Sequence, residues 1–523
     1  MNEKVVAALY ANNEMIPLCE KPAATLAAHS TTVPVYLDSA EGVKAAQRTF
    51  AYVLCMAASR VLKNRSLFIG QPLDDCYYWT YTDQTLPQEA ELCLLETEMR
   101  SIIADDRVVE TVYLAAQEAD SYFSAQGQSA LARHVRSCGK ASVKVNRCAD
   151  FFDIYREPLL PRTGMLSSFC LRQYHKGFVL ISDISKKDIF TKPAPQILKL
   201  HDKYKEWADI CGVHSVPELN AIAASGGRNV QDFIRLIEVY SEKNFSAAAQ
   251  SIFEQHDKTR VILLAGPSSS GKTTSAKRLC LHLQVLGLSP IVVSLDDYYL
   301  HPDNVPRDED GKPDFECLEA LDIPYLNKQL IALLSGETVT LPKFDFKTGL
   351  RTSGKEIRLS PRSALILEGI HALNDALTPG VPREKKYKLY VSALTQIKLD
   401  EHHRISAADN RLIRRIVRDN QFRAIPASRT LSMWPSVRRG ELRHIFPFQN
   451  TADTIINSAL EYELGVLRIY AEPLLRSVPV GEPVHAEAAR LLNLLENFAA
   501  ISPQYISGIS ILREFIGNSE FKY

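Results

Sequence analysis

An α/β fold with a parallel sheet flanked by helices is predicted for residues 259–475, preceded by an α+β region, and three observations carry this prediction. A short β-rich run, "RVILLA", enters the glycine-rich loop "GPSSSGKT", and Ala276, Leu279, Leu283 and Leu286 follow at helical spacing up to Gly287. Two further apolar runs, "PIVVSLDD" and "ALILEG", end in acidic residues, where strands of a parallel sheet carry their functional groups. The chain has 523 residues at 46% hydrophobic and 23% charged, a globular composition with room for several domains.

In chain order, residues 1–42 alternate short apolar runs with turn signals and read as a small β-rich module. Residues 43–185 mix patterns: "AQRTFAYVLCMAASRVL" places Phe50, Val53, Leu54 and Ala57 on one helical face, and "LCLLETEMRSIIADD" reads as a second amphipathic helix. That is an α+β domain. Residues 186–258 begin as a Pro-punctuated connector and continue with helical patterning. After the α/β region, residues 476–523 read as a C-terminal helical docking tail ending in "ISILREFIGNSEFKY".

Several classes are excluded at this level. With 61 basic and 61 acidic residues the chain offers no overall field for nucleic acid or anionic lipid. The ten cysteines are scattered singly, with no CxxC and no His-rich neighbourhood, so the spacing indicates neither a zinc site nor a disulfide framework. Free thiols suit a reducing, cytoplasmic setting. No stretch approaches the roughly 20 apolar residues of a membrane helix, and the N-terminus has no secretory pattern.

The segment Gly266, Pro267, Ser268, Ser269, Ser270, Gly271, Lys272 and Thr273 fits G-x-x-x-x-G-K-[ST]. Small residues let backbone N–H groups curl around phosphate oxygens, Lys272 adds charge, and Thr273 offers a hydroxyl to Mg²⁺; with Thr274 these are the expected ATP-binding residues. A phosphoryl acceptor also needs a base, and Asp296, after the strand "PIVVSL", is the candidate. Paired acids such as Asp296 and Asp297 after a strand also serve simply as caps. Glu368, at the end of "SALILE", stands where a Walker B acid would act through Mg²⁺, and His371 is left out of the chemistry as a partly buried, satisfied histidine.

Between Arg404 and Arg443 lie ten arginines, three acids and no lysine. Guanidinium forks suit phosphate oxygens. Arg411, Arg415 and Arg418 share a helical face and Arg414 lies partly round it, a pattern for a mobile lid over a triphosphate or, alternatively, for a surface helix or nucleic-acid patch.

The loop, "SLDDYYL", "DFECLEALD", "LPKFDFKTG", "LILEGIH" and "RLIRRIVRD" occur in this order, and on them residues 259–475 resemble the phosphoribulokinase/uridine kinase family, nearest to its uridine kinases. The resemblance implies a P-loop kinase that transfers the ATP γ-phosphate to a nucleoside 5′-hydroxyl, with uridine as the first choice. It places Asp296 on the catalytic aspartate, Lys272, Arg418 and Arg423 among the catalytic groups, and Tyr299, Glu316, Phe344, Phe346 and Arg415 on the substrate side. Glu316 replaces an aspartate that grips the ribose, and Gly349 stands where animal-type members have a base-reading histidine.

Residues 43–185 resemble the editing-type second domain of threonyl-tRNA synthetases, and residues 1–42 a TGS-like module. Arg48 and Tyr52 fall on the two histidines of the family's HxxxH, and Tyr155 and Leu159 on its later Cys and His, so editing hydrolysis is not expected. Residues 1–185 carry 18 basic and 21 acidic residues by count, against strong tRNA binding. This half is open to completing the nucleoside pocket, mediating homo-oligomerisation or sensing a small ligand. Two other functions stay open: a kinase of another alcohol, such as pantothenate or a sugar phosphate, and an RNA-linked regulatory ATPase.

Overall fold

A computed structural model describes residues 6–11, 14–17, 32–62, 65–73, 76–137, 139–183, 196–309, 311–345 and 348–522. The chain gathers into two units, one of residues 1–225, 396–406 and 475–499, the other of residues 226–395, 407–474 and 500–523.

In the first unit, β1 (Val6–Ala11), β2 (Glu14–Pro17) and β3 (Thr32–Tyr36) make an antiparallel sheet in the order β2-β1-β3. Helix α1 (Ala40–Val61) starts at Ser39, whose hydroxyl accepts the Gly42 N–H at 3.1 Å. The face expected to be apolar, Phe50, Val53, Leu54 and Ala57, is fully buried. Tyr52, Cys55 and Met56 are buried as well, so α1 is a core helix surrounded by protein rather than a half-exposed one.

Around α1 stand β4 (Leu67–Leu73), β5 (Cys76–Tyr81), α2 (Glu89–Ala104), β6 (Glu110–Ala115), α3 (Ala116–Ala125), α4 (Ser129–Ser137), β7 (Ser142–Cys148), β8 (Phe151–Asp153), β9 (Phe169–Tyr174) and β10 (Gly177–Ser182). They form two antiparallel sheets, β4-β5-β10-β9 and β6-β7-β8. α1 and α2 share a core with Trp79 and Phe178 of the first sheet, while Phe123 of α3 and Leu131 of α4 pack with Val145 of the second. α5 (Gln196–Cys211), α6 (Val216–Ser225) and the helix His485–Leu495 complete the unit. The remote segment 396–406 is stitched in by hydrogen bonds: Ile69 N–H donates to the Glu401 carbonyl at 3.0 Å, and the Glu401 carboxylate accepts the Ala130 N–H at 2.7 Å in the first turn of α4.

The second unit contains α7 (Gly227–Glu254), β11 (Val261–Ala265), α8 (Lys272–Val285), β12 (Ser289–Ser294), α9 (Ile323–Leu334), β13 (Val339–Asp345), β14 (Leu350–Ile357), β15 (Ser363–Glu368), β16 (Lys386–Ser392), α10 (Ala407–Arg423), α11 (Ala427–His444) and β17 (Thr454–Asn457), with α12 (Glu463–Arg476) following. Five strands make a parallel sheet in the order β12-β15-β11-β16-β17. Every residue of β11, β15 and β16 is buried, as inner strands covered on both faces require. Leu264 of β11 and Ser294 of β12 both pair with Glu368, so three strands end level at the loops that follow. α7 is fastened to α8 through Arg278, 1% exposed, which pairs with Glu242 at 2.7 Å and lies 4.6 Å over the Phe245 ring. No helix among the described residues is long and apolar enough to cross a membrane.

Candidate active site

The phosphate loop runs from the end of β11 to the start of α8, and two glycines make it possible. A Cβ on Gly266 would collide with the Val391 carbonyl oxygen, and Gly271, which caps α8, sits at φ +82°, the left-handed region that favours glycine. Ser269 shares that region at φ 57°. Lys272 folds back over the loop and its ammonium donates to the Pro267 carbonyl at 3.2 Å. Thr273 is half-buried in the first turn of α8, while the Thr274 N–H and hydroxyl donate to Glu514 at 3.1 and 2.6 Å.

The arginine row does something other than form a lid. Arg411 and Arg414 are 2% and 0% exposed, and they donate to the loop carbonyls of Ser268 at 3.0 Å and Ser269 at 3.3 Å. Their charges are met by Glu441 and Glu463 respectively. A helix whose residues 410–417 are all buried braces the loop from beneath and is no free flap, which corrects the expectation of a mobile lid. Arg415 donates to the Ser268 hydroxyl at 3.0 Å. Arg415, Arg418 and Arg423 all converge on Asp419, at 3.3, 3.5 and 3.1 Å.

The two acids after β12 have separate places in a 3₁₀ turn, Leu295–Tyr298. Asp297 accepts the Phe344 N–H at 3.1 Å and pairs with Lys343 at 3.2 Å, so it ties β13 to the sheet. Asp296 is solvent-exposed, yet the surrounding protein partly desolvates its carboxyl. That desolvation pushes its carboxyl above the usual range; Lys272 pulls it down, Asp297 pushes it up, and Arg423 and Arg418 pull it down. Glu368 is buried, and desolvation pushes it up to about 7 against the pull of Lys272, with Asp296 adding repulsion. Two carboxyls so disfavoured as anions, at the ends of neighbouring strands and with Thr273 in the first turn of α8, are hard oxygen donors of the kind that fits Mg²⁺.

On the other side of the loop, Tyr299 donates its hydroxyl to the Phe315 carbonyl at 3.1 Å, and its ring lies 6.0 Å from Phe344. Glu316 is pushed up to about 7, by burial first, with Arg415 pulling it down, Glu441 pushing it up and Lys272 pulling it down. Gly440 of α11 makes room for it, since a Cβ there would meet the Glu316 side chain. Phe346 lies outside the described residues. Gly349 closes the β13–β14 hairpin at φ +70°, with Pro302 against its Cα, so a histidine there would be strained and would collide. His371 is fully buried, not partly, and burial pushes its ring down to about 4, leaving it neutral.

Asp419 ends the motif "RLIRRIVRD" with no role given to it, and Glu441, Glu463 and Glu514 lie outside the quoted motifs. Asp419, four residues after Arg415 on one helix, was within reach of spacing; the others are brought in from distant segments.

In the first unit, the four positions that correspond to editing residues are filled. Arg48 pairs with Glu157 at 2.6 Å and donates twice to the Pro158 carbonyl. The Tyr52 hydroxyl is 3.2 Å from the carbonyls of Asn146 and Phe151, its ring meets Tyr155 edge-on at 5.7 Å, and Leu159 is 1% exposed.

A profile of the phosphoribulokinase/uridine kinase family matches residues 261–464. The uridine kinase of Deinococcus deserti is 32% identical over 203 residues, which cover 38% of this chain and 88% of that protein. The uridine kinase of Chloroflexus aurantiacus is 30% identical over 217 residues, 40% of this chain and 94% of that protein. The N-terminal part is similar to the threonine–tRNA ligase of Nitratidesulfovibrio vulgaris, 28% identical over 149 residues, 28% of this chain and 23% of that protein.

Proposed function

The chain belongs to the phosphoribulokinase/uridine kinase family, and from that premise we propose that it transfers the γ-phosphate of ATP to the 5′-hydroxyl of a nucleoside, uridine before others. The observation that carries this reading is the glycine loop from Gly266 to Thr273, held by Arg411 and Arg414 and set where β11, β12 and β15 end level, with Asp296 and Glu368 at those ends.

The loop N–H groups and Lys272 hold the triphosphate. Asp296, made more basic by its crowded setting, accepts the proton of the attacking hydroxyl, and Arg418 and Arg423 balance charge on the moving phosphoryl group. Asp419 keeps those arginines in place. Mg²⁺, when bound, neutralises charge on the phosphate oxygens, and Thr273 and Glu368 would hold it. Glu316 accepts the ribose hydroxyls beside Arg415, and Phe344 and Tyr299 give the base an apolar wall, with Phe346 assigned to it by resemblance alone. A cytoplasmic enzyme is the corresponding reading, supported by the free thiols of Cys55, Cys76, Cys93, Cys148, Cys170, Cys211, Cys280 and Cys317.

The test is ADP release by the full chain with ATP and a panel of nucleosides, pantothenate, a sugar phosphate and tRNA. Nucleoside-dependent turnover supports the reading; turnover with pantothenate or the sugar phosphate alone, or ATP hydrolysis stimulated only by tRNA, refutes it. Stacking tolerates any base, and Gly349 contributes no side chain for reading a base edge. The expected preference for uridine over cytidine, inosine, guanosine and adenosine is therefore below about 10³-fold in kcat/KM, or about 4 kcal/mol. A larger preference would require a base reader elsewhere.

A further inference from the structure

Three residues far apart in the chain meet inside the first unit: Cys55 in the middle of α1, Asp153 at the end of β8, and His402 in the segment 396–406. One donor atom of each lies within 4.8 Å of those of the other two. All are buried, at 3%, 0% and 6% exposure. His402 Nδ1 is 2.8 Å from Asp153 Oδ2, and Asp153 Oδ1 accepts the Ile154 N–H at 2.7 Å, so the carboxylate fixes the imidazole while Cys55 contacts the same ring.

The surroundings are unusually polar for a core. The Tyr155 hydroxyl, the Asp400 Oδ2 and the His403 Nε2 are buried with no hydrogen-bond partner. Tyr155 and His403 stack edge-on at 4.4 Å, and Asp400 Oδ1 accepts the N–H groups of His402 and His403 at 3.0 and 2.9 Å. Buried polar groups are nearly always satisfied, so several orphans around one thiol, imidazole and carboxylate call for an occupant. The same set is poorly placed for nucleophilic catalysis, because Cys55 points from a core helix and is almost sealed from solvent.

We propose that Cys55, His402 and Asp153 form a binding site for a thiophilic divalent cation, Zn²⁺ in the first instance, with a fourth position left to the Tyr155 hydroxyl or a water. Thiolate, imidazole and carboxylate are zinc's donor classes, and bond lengths of about 2.0–2.3 Å put such donors roughly 3.5 Å apart, so His402 Nδ1 and Asp153 Oδ2, hydrogen-bonded at 2.8 Å, would open slightly while the three donors stay within the 4.8 Å they now span. Thiolate and imidazole also discriminate against Mg²⁺, which the other unit would use. One Zn²⁺ balances the charges of thiolate and carboxylate; as the metal enters, the thiol proton leaves to solvent, and the proton between His402 Nδ1 and Asp153 Oδ2 leaves as well or moves to Nε2 of the ring. The site differs from the four positions of the editing resemblance: Cys55 lies three residues after Tyr52, and Asp153 two before Tyr155. Cysteine spacing gives no sign of such a site, since no spacing rule joins positions 55, 153 and 402.

The test uses the full chain, stripped with a chelator and dialysed against Zn²⁺ or Co²⁺ with Mg²⁺ in excess. About one Zn²⁺ per chain is expected to remain, and the Co²⁺ form is expected to show a thiolate-to-metal charge-transfer band in the near ultraviolet. Cys55→Ser should abolish the band, and His402→Gln should weaken Zn²⁺ binding at least about 10-fold. Zn²⁺ should also raise the melting temperature of the unmutated protein, a readout independent of whether either variant folds. No retained metal, an unchanged melting temperature, or equal binding by soluble Cys55→Ser or His402→Gln would each overturn the proposal.

Discussion

At the strand ends of the second unit, Asp296 faces an opening with Lys272, Arg418 and Arg423 about it, whereas in the first unit Arg48, Tyr52, Tyr155 and Leu159 are closed over by salt bridge, aromatic edges and packing. Both places occupy positions where relatives of each region carry reactive groups. The difference lies in how polar atoms are satisfied. Around Asp296, burial and like charge leave carboxyls strained towards protonation, a state that a cation or a substrate proton relieves. Around Tyr52 the protein's own groups have already taken up the hydrogen bonds. A family resemblance therefore locates a candidate site in both units: at Arg48, Tyr52 and Leu159 the protein's own groups have closed it, and the polar demand left over there lies at the Tyr155 hydroxyl.

The comparison breaks most sharply at the braces of the loop. Glu463→Ala leaves the fully buried Arg414 without its carboxylate and is expected to lower unfolding free energy by about 3–5 kcal/mol in urea titrations. A loss under about 1 kcal/mol, typical of a surface pair, would restore the lid reading of α10. Next in size, Asp296→Asn should keep ATP affinity and lose roughly 10²-fold or more in kcat, since the amide retains shape but takes no proton. Near-normal turnover would remove Asp296 from the chemistry.

These two predictions differ in what the sequence made legible. The loop and its helix are contiguous, so "GPSSSGKTT" could be read directly, and the β-rich runs on either side located β11, β12 and β15. Asp296 is read from the sequence as the base, but nothing there assigns its neighbour a role; the Phe344 N–H, 47 residues away, is what gives Asp297 its structural task. The arginine row was visible, but its division was not, because Ser268, Glu441 and Glu463 reach it from three other segments. The missing histidine at Gly349 was read as a change in base recognition. The hairpin's left-handed turn against Pro302 adds a backbone reason for glycine at that position.

A pH series sharpens the contrast further. Glu316 and Glu368 hold protons up to about 7 in the folded chain against an ordinary value of 4.5, so between those values the folded state binds more protons than the unfolded one. These two carboxyls therefore contribute a fall in stability of the ligand-free protein as pH rises from about 4.5 towards 7, opposed by His134 and His371, whose rings burial pushes down to about 4. Glu368→Gln should flatten part of that slope. A Glu368→Gln profile with the same slope as the unmutated protein would mean that Glu368 is not burdened as described, and the electrostatic distinction between the two units would lose its basis.

The smallest expected effect concerns the closed site itself. Tyr52 is fully buried on α1, and its hydroxyl has two carbonyl acceptors, Asn146 and Phe151, each at 3.2 Å. Both distances are at the long end of the usual range, and one hydroxyl proton serves only one acceptor at a time. Tyr52→Phe removes that hydrogen bond while leaving the ring against Phe151 and Tyr155, so the change is confined to polar satisfaction and does not open a cavity. The expected cost is about 1 kcal/mol in unfolding free energy, with ATP turnover unchanged. Turnover and stability must be measured on the same preparation, because a destabilised sample can lose active protein without any effect on chemistry. A fall in kcat at full folding would show that position 52 acts on the phosphotransfer and is not merely core. A cost near zero would mean that the two carbonyls are satisfied without the tyrosine, and that the ring alone holds this position in the core.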